Sequence, residues 1–112
     1  MMTDATTTAF KPLLDEMTSR IVREFSPLKV ILFGSRARRK SHRWSDVDLL
    51  VVMPDGSDRR AIAVEIRRQL ADLPVSKDIV VTTPDEISRR GNLVGTVLRE
   101  ALRDGEVLHE RR

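Results

Sequence analysis

Hydrophobic and polar positions follow two different spacings along the chain, and these predict helices and strands in turn. Apolar residues recur at helical spacing over residues 8–25, with charged residues between them, and Pro27 is expected to end this first helix. Continuous apolar runs at residues 28–33 and 47–53 predict two buried strands, and the turn signal Pro54-Asp55-Gly56 closes the second. A short helical turn is expected from Ser35, followed by a polar loop. The apolar positions of the first helix are Phe10, Leu13, Leu14, Met17 and Ile21.

The same alternation continues in the second half of the chain. A second helix of about four turns is expected to start near Ser57 or Asp58 and to stop at Pro74, and residues 78–82 predict a third strand. The sequence Thr83-Pro84-Asp85-Glu86 matches a capping box with proline at the first helical position, which predicts a short helix. A last helix is expected to end at Gly105, before a short strand at residues 107–109. Its apolar stripe is formed by Val94, Val97, Leu98, Ala101 and Leu102.

Length and composition narrow this pattern to one compact domain. We expect residues 1–112 to form a single α/β (α+β) domain, with a small mixed sheet flanked by helices. Hydrophobic residues make up 40% and charged residues 33%, which is typical of a globular rather than a disordered chain. No apolar run approaches the roughly 18 residues of a membrane span, and the N-terminus has no apolar signal core, so we expect a cytoplasmic protein without membrane contact. Cysteine is absent, so a metal would need oxygen or imidazole ligands.

Positive charge is concentrated in one segment of the chain. The net charge is only +3, but five basic residues lie between positions 36 and 43 with no acid among them. Such a cluster is either a solvated loop or a device that attracts phosphate. Nucleic acid stays open as a ligand but is less favoured, because aromatic residues for base stacking are few: three Phe, one Trp and no Tyr. The cluster consists of Arg36, Arg38, Arg39, Lys40 and Arg43.

Candidate chemistry lies on both sides of this basic segment. Gly34 and Ser35 follow the first strand directly, and glycine lets the backbone approach a ligand closely while the amides of a following helical turn attract anions. Asp46 and Asp48 open the second strand, where alternation places both side chains on one face, so that they can share a divalent cation. Together these residues predict a site for a metal–triphosphate complex. The structural alternative is that the two aspartates cap a turn and solvate the start of a strand.

Topology adds a third carboxylate to this candidate site. Gly34 ends one strand and Asp48 starts the next, so the two meet most simply if these strands are antiparallel. The helix between the second and third strands suits a right-handed parallel crossover, which brings the starts of those strands together. Asp78 occupies the start of the third strand. Its competitors are Asp72, which is expected to end a helix, and Asp55, which lies in a turn.

This constellation favours a nucleotide-handling enzyme. Two Mg²⁺ ions need several carboxylates, one ion binding the triphosphate and the other lowering the pKa of the attacking hydroxyl. Asp78 could also act as the general base. The runs Gly34-Ser35-Arg36-Ala37 and Ser45-Asp46-Val47-Asp48-Leu49, followed by Asp78, resemble the DNA polymerase beta-type nucleotidyltransferase superfamily. The short length is similar to that of its minimal nucleotidyltransferases.

The resemblance implies the fold, the reaction and the roles of individual residues. It implies two Mg²⁺ ions and transfer of a nucleoside monophosphate, AMP from ATP, with release of pyrophosphate. Gly34, Ser35 and Arg36 would bind the nucleotide, and Asp46, Asp48 and Asp78 would be the catalytic, metal-binding carboxylates. In one respect the chain departs from the family. The family often has glycine two residues after the alanine, where this chain has Arg39 followed by Lys40, a change that concerns the loop more than the metal site.

The resemblance also implies a partner protein. Many minimal members pair with a helical HEPN protein, often a ribonuclease toxin, and act as its antitoxin, some by attaching AMP to a tyrosine of the partner. This chain contains no tyrosine, so a tyrosyl acceptor would belong to another chain, and the short length leads us to expect an open acceptor site.

Two alternatives to the catalytic antitoxin stay open. A non-catalytic nucleotide-binding module could neutralise the partner by complex formation, or the acceptor could be a small molecule or RNA. The chain could also form a homo-oligomer. We expect the arginine pairs to cover solvent-facing sides of helices, with a partner surface as the alternative. These pairs are Arg59-Arg60, Arg67-Arg68 and Arg89-Arg90.

Overall fold

The helices and strands follow one another in the order that the hydrophobic pattern predicts. The computed structural model describes residues 5–33, 47–90 and 97–111. The helices are α1 (Ala5–Phe25), α2 (Arg59–Gln69), α3 (Pro84–Arg90) and α4 (Val97–Asp104). The strands are β1 (Lys29–Phe33), β2 (Val47–Val52), β3 (Lys77–Thr82) and β4 (Glu106–Glu110). The fold is therefore a mixed α+β fold, as expected.

The strands of the described ranges form one mixed sheet in the order β3-β2-β1-β4. Strand β1 is antiparallel to both β2 and β4, whereas β2 and β3 are parallel and joined by α2. The predicted antiparallel pairing of the first two strands and the predicted parallel pairing of the second and third are both confirmed. The register pairs Phe33 with Asp48 across β1 and β2, and Asp48 with Asp78 across β2 and β3.

The core lies on both faces of this sheet. On one face, side chains of α1 and α2 such as Met17 and Ile66 form a core cluster with buried side chains of the sheet such as Leu49 of β2. On the other face, α4 packs through Leu98 and Ala101 onto the side chains of β1 and β2. Every residue of β2 except Asp48 is buried. Burial on both faces explains why β2 is a continuous apolar run rather than an alternating one.

Helix α2 is shorter than the sequence predicts. It begins after Asp58, whose Oδ1 accepts a hydrogen bond from the amide of Ala61 at 3.1 Å, as an N-cap does. The prediction that it continues to Pro74 is wrong, because it ends at Gln69, after about three turns. Leu73 still packs against the core, but from the turns that follow the helix. An apolar side chain at helical spacing therefore marks burial here without marking helix.

The other helix ends agree with the expected signals. The amide of Glu86 donates to the hydroxyl of Thr83 at 3.2 Å, which is the N-cap half of the predicted capping box. Gly105 follows α4, and its amide donates to the carbonyl of Ala101 at 2.9 Å. A Cβ at Gly105 would lie 2.4 Å from both that carbonyl oxygen and Cγ2 of Ile31, so only glycine fits this close approach. The helical turn expected from Ser35 lies outside the described residues.

Candidate active site

Asp48 and Asp78 lie side by side at the start of the parallel strand pair. They are register partners on β2 and β3, and neighbouring strands lie about 4.8 Å apart. Val47 and Leu49 pack in the core formed with α1 and α2, so alternation directs Asp48 to the opposite face, which is the face of α4. Asp48 is half-buried and Asp78 is exposed. The register thus brings together two of the three predicted carboxylates.

The remaining predicted site residues belong to the segment between β1 and β2. Gly34, Ser35, Arg36 and Asp46 lie outside the described residues. Strand β1, which precedes this segment, ends at Phe33, the register partner of Asp48. The chain therefore leaves the sheet and returns to it at the same end.

Both competitors of Asp78 have structural partners. Asp72 receives two hydrogen bonds from Arg20, at 2.6 and 3.2 Å, which connect α1 to the turn after α2. These hydrogen bonds hold the pKa of Asp72 below its usual value. Asp55 accepts a hydrogen bond from the amide of Asp85 at 2.8 Å, at the start of α3 and beyond the far end of β2 from Asp48. Of the three carboxylates, only Asp78 adjoins Asp48 in the sheet.

This geometry agrees with a comparison to known protein families. A family model for the nucleotidyltransferase domain matches residues 14–105, a range that contains both aspartates. The chain belongs to the nucleotidyltransferase domain family. A comparison with curated proteins gives no match.

Solved structures share the fold of this nucleotidyltransferase domain. A protein from Sulfolobus solfataricus provisionally described as a nucleotidyltransferase superposes with a TM-score of 0.67 at 20% identity, covering 96% of this chain and 86% of its own. A toxin–antitoxin complex with AMP-PNP gives a TM-score of 0.54 at 24% identity. A mutant of the toxin–antitoxin pair MntA–HpeT, with glutamate replacing two aspartates two positions apart, gives 0.60 at 23% identity. Each of the latter two matches covers 87% of this chain and 73% of the other.

The described part of the domain supplies oxygen ligands that fit a hard cation. Asp48 and Asp78 offer carboxylate oxygens at adjacent positions, and Mg²⁺ prefers one or two carboxylates together with water and substrate phosphates. Within residues 5–33, 47–90 and 97–111, no group of three or more His, Cys, Asp and Glu side chains could hold a metal ion. The third predicted carboxylate, Asp46, precedes the first residue of β2.

Within residues 5–33, 47–90 and 97–111, no helix has the length and hydrophobicity to cross a membrane.

The arginine pairs on α2 are exposed, as expected, but two of these arginines also make tertiary contacts. Arg67 lies 3.9 Å from Asp78, measured from Nη2 to Oδ1, and Arg59 lies 2.5 Å from Glu86. The contact of Arg67 is the more relevant one, because it reaches a candidate site residue. The crossover topology is the signal that could have found it. A crossover helix runs antiparallel to the strand that follows, so the last turn of α2 lies beside the start of β3.

Proposed function

We propose that this domain is a Mg²⁺-dependent nucleotidyltransferase that transfers AMP from ATP to a hydroxyl of a partner toxin protein, and so acts as an antitoxin. The observation that carries the proposal is the register of Asp48 and Asp78 at the end of the sheet where the Gly34–Ser35 segment begins. A structural pair of aspartates would not need to coincide with that segment. Membership of the nucleotidyltransferase family supports the reaction class.

Each predicted residue has a distinct role in the proposed reaction. Asp46, Asp48 and Asp78 would hold two Mg²⁺ ions, which neutralise phosphate charge and make a hydroxyl more acidic when bound. Gly34, Ser35 and Arg36 would hold the triphosphate through main-chain amides and the guanidinium.

The proposed transfer is a single displacement at the α-phosphorus of ATP. The acceptor oxygen forms a bond to the α-phosphorus of ATP while the bond from that phosphorus to the bridging oxygen breaks, and pyrophosphate leaves. The hydroxyl proton passes to the carboxylate of Asp78, which acts as general base. The exposure of Asp78 is consistent with an acceptor that arrives from outside this domain.

The proposal of a protein partner rests on two supports. Two of the similar folds come from toxin–antitoxin complexes, one of them with AMP-PNP. Residues 1–112 contain no tyrosine, so a tyrosyl acceptor would lie outside this domain, and we propose that it belongs to a HEPN-type toxin. We place this reaction in the cytoplasm and treat residues 1–112 as one nucleotidyltransferase domain.

Labelling of the partner tests the proposal. The chain is incubated with Mg²⁺, α-labelled ATP and the protein encoded by the adjacent gene, and we expect label on that partner. The double substitution Asp46→Asn with Asp48→Asn should abolish labelling, since it removes two metal-binding charges with little change in shape. Asp15→Asn is the matched control, because Asp15 lies on α1 and pairs only with Lys11 among the described contacts, at 3.5 Å.

Two results would contradict the proposal. If the wild-type chain binds nucleotide but the partner stays unlabelled, transfer to that partner is excluded. If the double substitution leaves neutralisation of the toxin undiminished, catalysis is unnecessary and the chain acts as a binding module.

A further inference from the structure

Arg67 connects helix α2 to the edge of the sheet at Asp78. Strand β3 is an edge strand, and its residue Ile79 is buried against α2. The guanidinium of Arg67 reaches this edge, where Nη2 donates a hydrogen bond to the carbonyl of Ile79 at 3.2 Å. The same nitrogen lies 3.9 Å from Oδ1 of Asp78. The main chain of β3 therefore holds the guanidinium of Arg67 beside the carboxylate of Asp78.

The neighbouring arginine on the same helix provides an internal comparison. Arg68 is also in the last turn of α2, but it points elsewhere and lies 3.8 Å from Glu65, one helical turn away. Arg67 and Arg68 thus carry the same charge at adjacent positions, yet only Arg67 contacts β3 within the described structure. Any effect specific to Arg67 must come from this contact rather than from general positive charge.

The contact is suited to orienting Asp78 rather than to stabilising the fold. Both side chains are at least half-exposed, at 50% and 60%, and an exposed ion pair at 3.9 Å contributes little stability. Its effect on direction is different. With Oδ1 facing the guanidinium, Oδ2 remains for a cation or for the proton of a hydroxyl. Ligating carboxylates are commonly oriented by such partners behind them.

We propose that Arg67 is a positioning residue that orients the carboxylate of Asp78 for metal binding. This inference rests on the proposed function, because it assumes that Asp78 is a metal ligand. Two effects of Arg67 on a bound cation have opposite signs. Orientation of Asp78 strengthens binding, whereas repulsion between the guanidinium and the cation weakens it. In an exposed setting water screens the repulsion, so orientation dominates.

Binding of Mn²⁺ alone to the full chain, followed by electron paramagnetic resonance, measures the balance directly. We expect Arg67→Met to weaken Mn²⁺ binding by about 10- to 100-fold, as loss of an outer-shell partner does. Arg67→Lys should also weaken it, because lysine is shorter and its ammonium does not lie at the position of Nη2, the atom that contacts both Ile79 and Asp78. Arg68→Met is the matched control and should bind Mn²⁺ as the wild type does. Asp78→Asn provides the reference for loss of the ligand itself.

Kinetics with ATP and the partner give a second readout. Arg67→Met should lower kcat while changing KM for ATP little, because Asp78 contacts the metal and the acceptor rather than the base of the nucleotide. Circular dichroism checks that the variants are folded. If Arg67→Met does not fold, Arg67→Lys carries the test.

The possible results separate this inference from the proposed function. Unchanged or tighter Mn²⁺ binding in Arg67→Met, or wild-type binding in Arg67→Lys, would overturn the positioning role and leave the metal site intact. Equal weakening in Arg68→Met would show a general charge effect and also overturn it. A wild-type chain that binds no Mn²⁺ would overturn both the metal site and the role of Arg67.

Discussion

The two ends of the β2–β3 pair place acidic residues in different surroundings. At the end where both strands finish, Asp55 and Asp58 accept hydrogen bonds from the amides of Asp85 and Ala61. Glu86 accepts a 2.5 Å hydrogen bond from the hydroxyl of Thr82 and lies 2.5 Å from Arg59. At the end where both strands start, Asp48 and Asp78 instead lie next to each other in register. At the finishing end, the carboxylates bind neighbouring elements of the fold through hydrogen bonds and an ion pair. At the starting end, two carboxylates lie side by side.

The difference shows how position decides what an acidic residue does. At the finishing end, the carboxylates join the start of α2, the start of α3 and the end of β3, and Thr82 is fully buried there. Like charges at adjacent sheet positions are unfavourable unless something compensates them. At the starting end, the compensation near Asp78 includes Arg67, at a distance of 3.9 Å. Two neighbouring carboxylates are therefore a cost to the fold and a benefit to a cation site.

The largest effect is expected when one carboxylate charge is removed at each end of the strand pair, in two separate variants. Asp78→Asn should lower nucleotidyl transfer by more than about 100-fold, since even outer-shell partners of a metal cost about 10- to 100-fold. Asp55→Asn is the matched control at the other end, because an amide oxygen still accepts the hydrogen bond from Asp85. Its transfer rate should stay near that of the wild type. Equal losses in both variants would mean that the two ends do not differ in function.

An intermediate effect is expected on stability at the finishing end. Glu86→Ala removes the partner of both Thr82 and Arg59, and we expect the free energy of unfolding to fall by about 2 kcal/mol, as for hydrogen bonds to charged groups. Urea denaturation measures this. Glu65→Ala on the surface of α2 is the control and should change stability by less than about 0.5 kcal/mol. Transfer per folded molecule should be unaffected in both variants, and a large loss in Glu86→Ala would contradict the separation of the two ends.

The smallest expected effect is a dependence of stability on pH. Burial raises the pKa of Glu86, but the hydrogen bonds from Thr82 and Arg59 outweigh it and hold the pKa below its ordinary value of 4.5. The folded state therefore binds this proton less readily than the unfolded state does. The resulting stabilisation is present above 4.5 and is lost as the pH falls through the lower pKa of the folded state.

Comparison with Glu86→Gln isolates this contribution. The difference in unfolding free energy between the wild type and this variant should shrink as the pH falls from neutral to below 4.5. Urea denaturation at several pH values measures it. A constant difference would show that ionisation of Glu86 does not stabilise the fold.

Local signals made most of the fold predictable. Apolar residues at helical spacing identified α1, because this spacing places them on one face of a helix. Continuous apolar runs identified the strands, because strands buried on both sides are apolar throughout. The end of α2 was mispredicted because Leu73 is apolar at helical spacing, although it packs, partly buried, against the core from the turns after the helix. The N-cap of α3 followed the predicted box, whereas the carboxylate of Glu86 contacts Thr82, just before the box, and Arg59, which lies far away in the sequence.

The candidate site was predictable to the extent that topology could be inferred. An antiparallel pair followed by a helical crossover brings Asp48 and Asp78 to one edge, and the register confirms that arrangement. The choice of Asp78 over Asp72 could be argued only from position, whereas the structure shows the hydrogen bonds from Arg20 that engage Asp72. The roles of Asp48 and Asp78, like those of Gly34, Ser35, Arg36 and Asp46, stay predictions.

The sequence by itself determined the succession of helices and strands, the identity of the candidate carboxylates and the segment next to them. These depend on hydrophobic period, turn residues and spacing, all of which are local. Only the tertiary structure decided which carboxylates bind neighbouring elements of the fold and which lie in register on adjacent strands. It also decided that Arg67 rather than Arg68 reaches the edge of β3. Contacts between residues far apart in the chain depend on register and helix length, and a change of a few residues in α2 would redirect them.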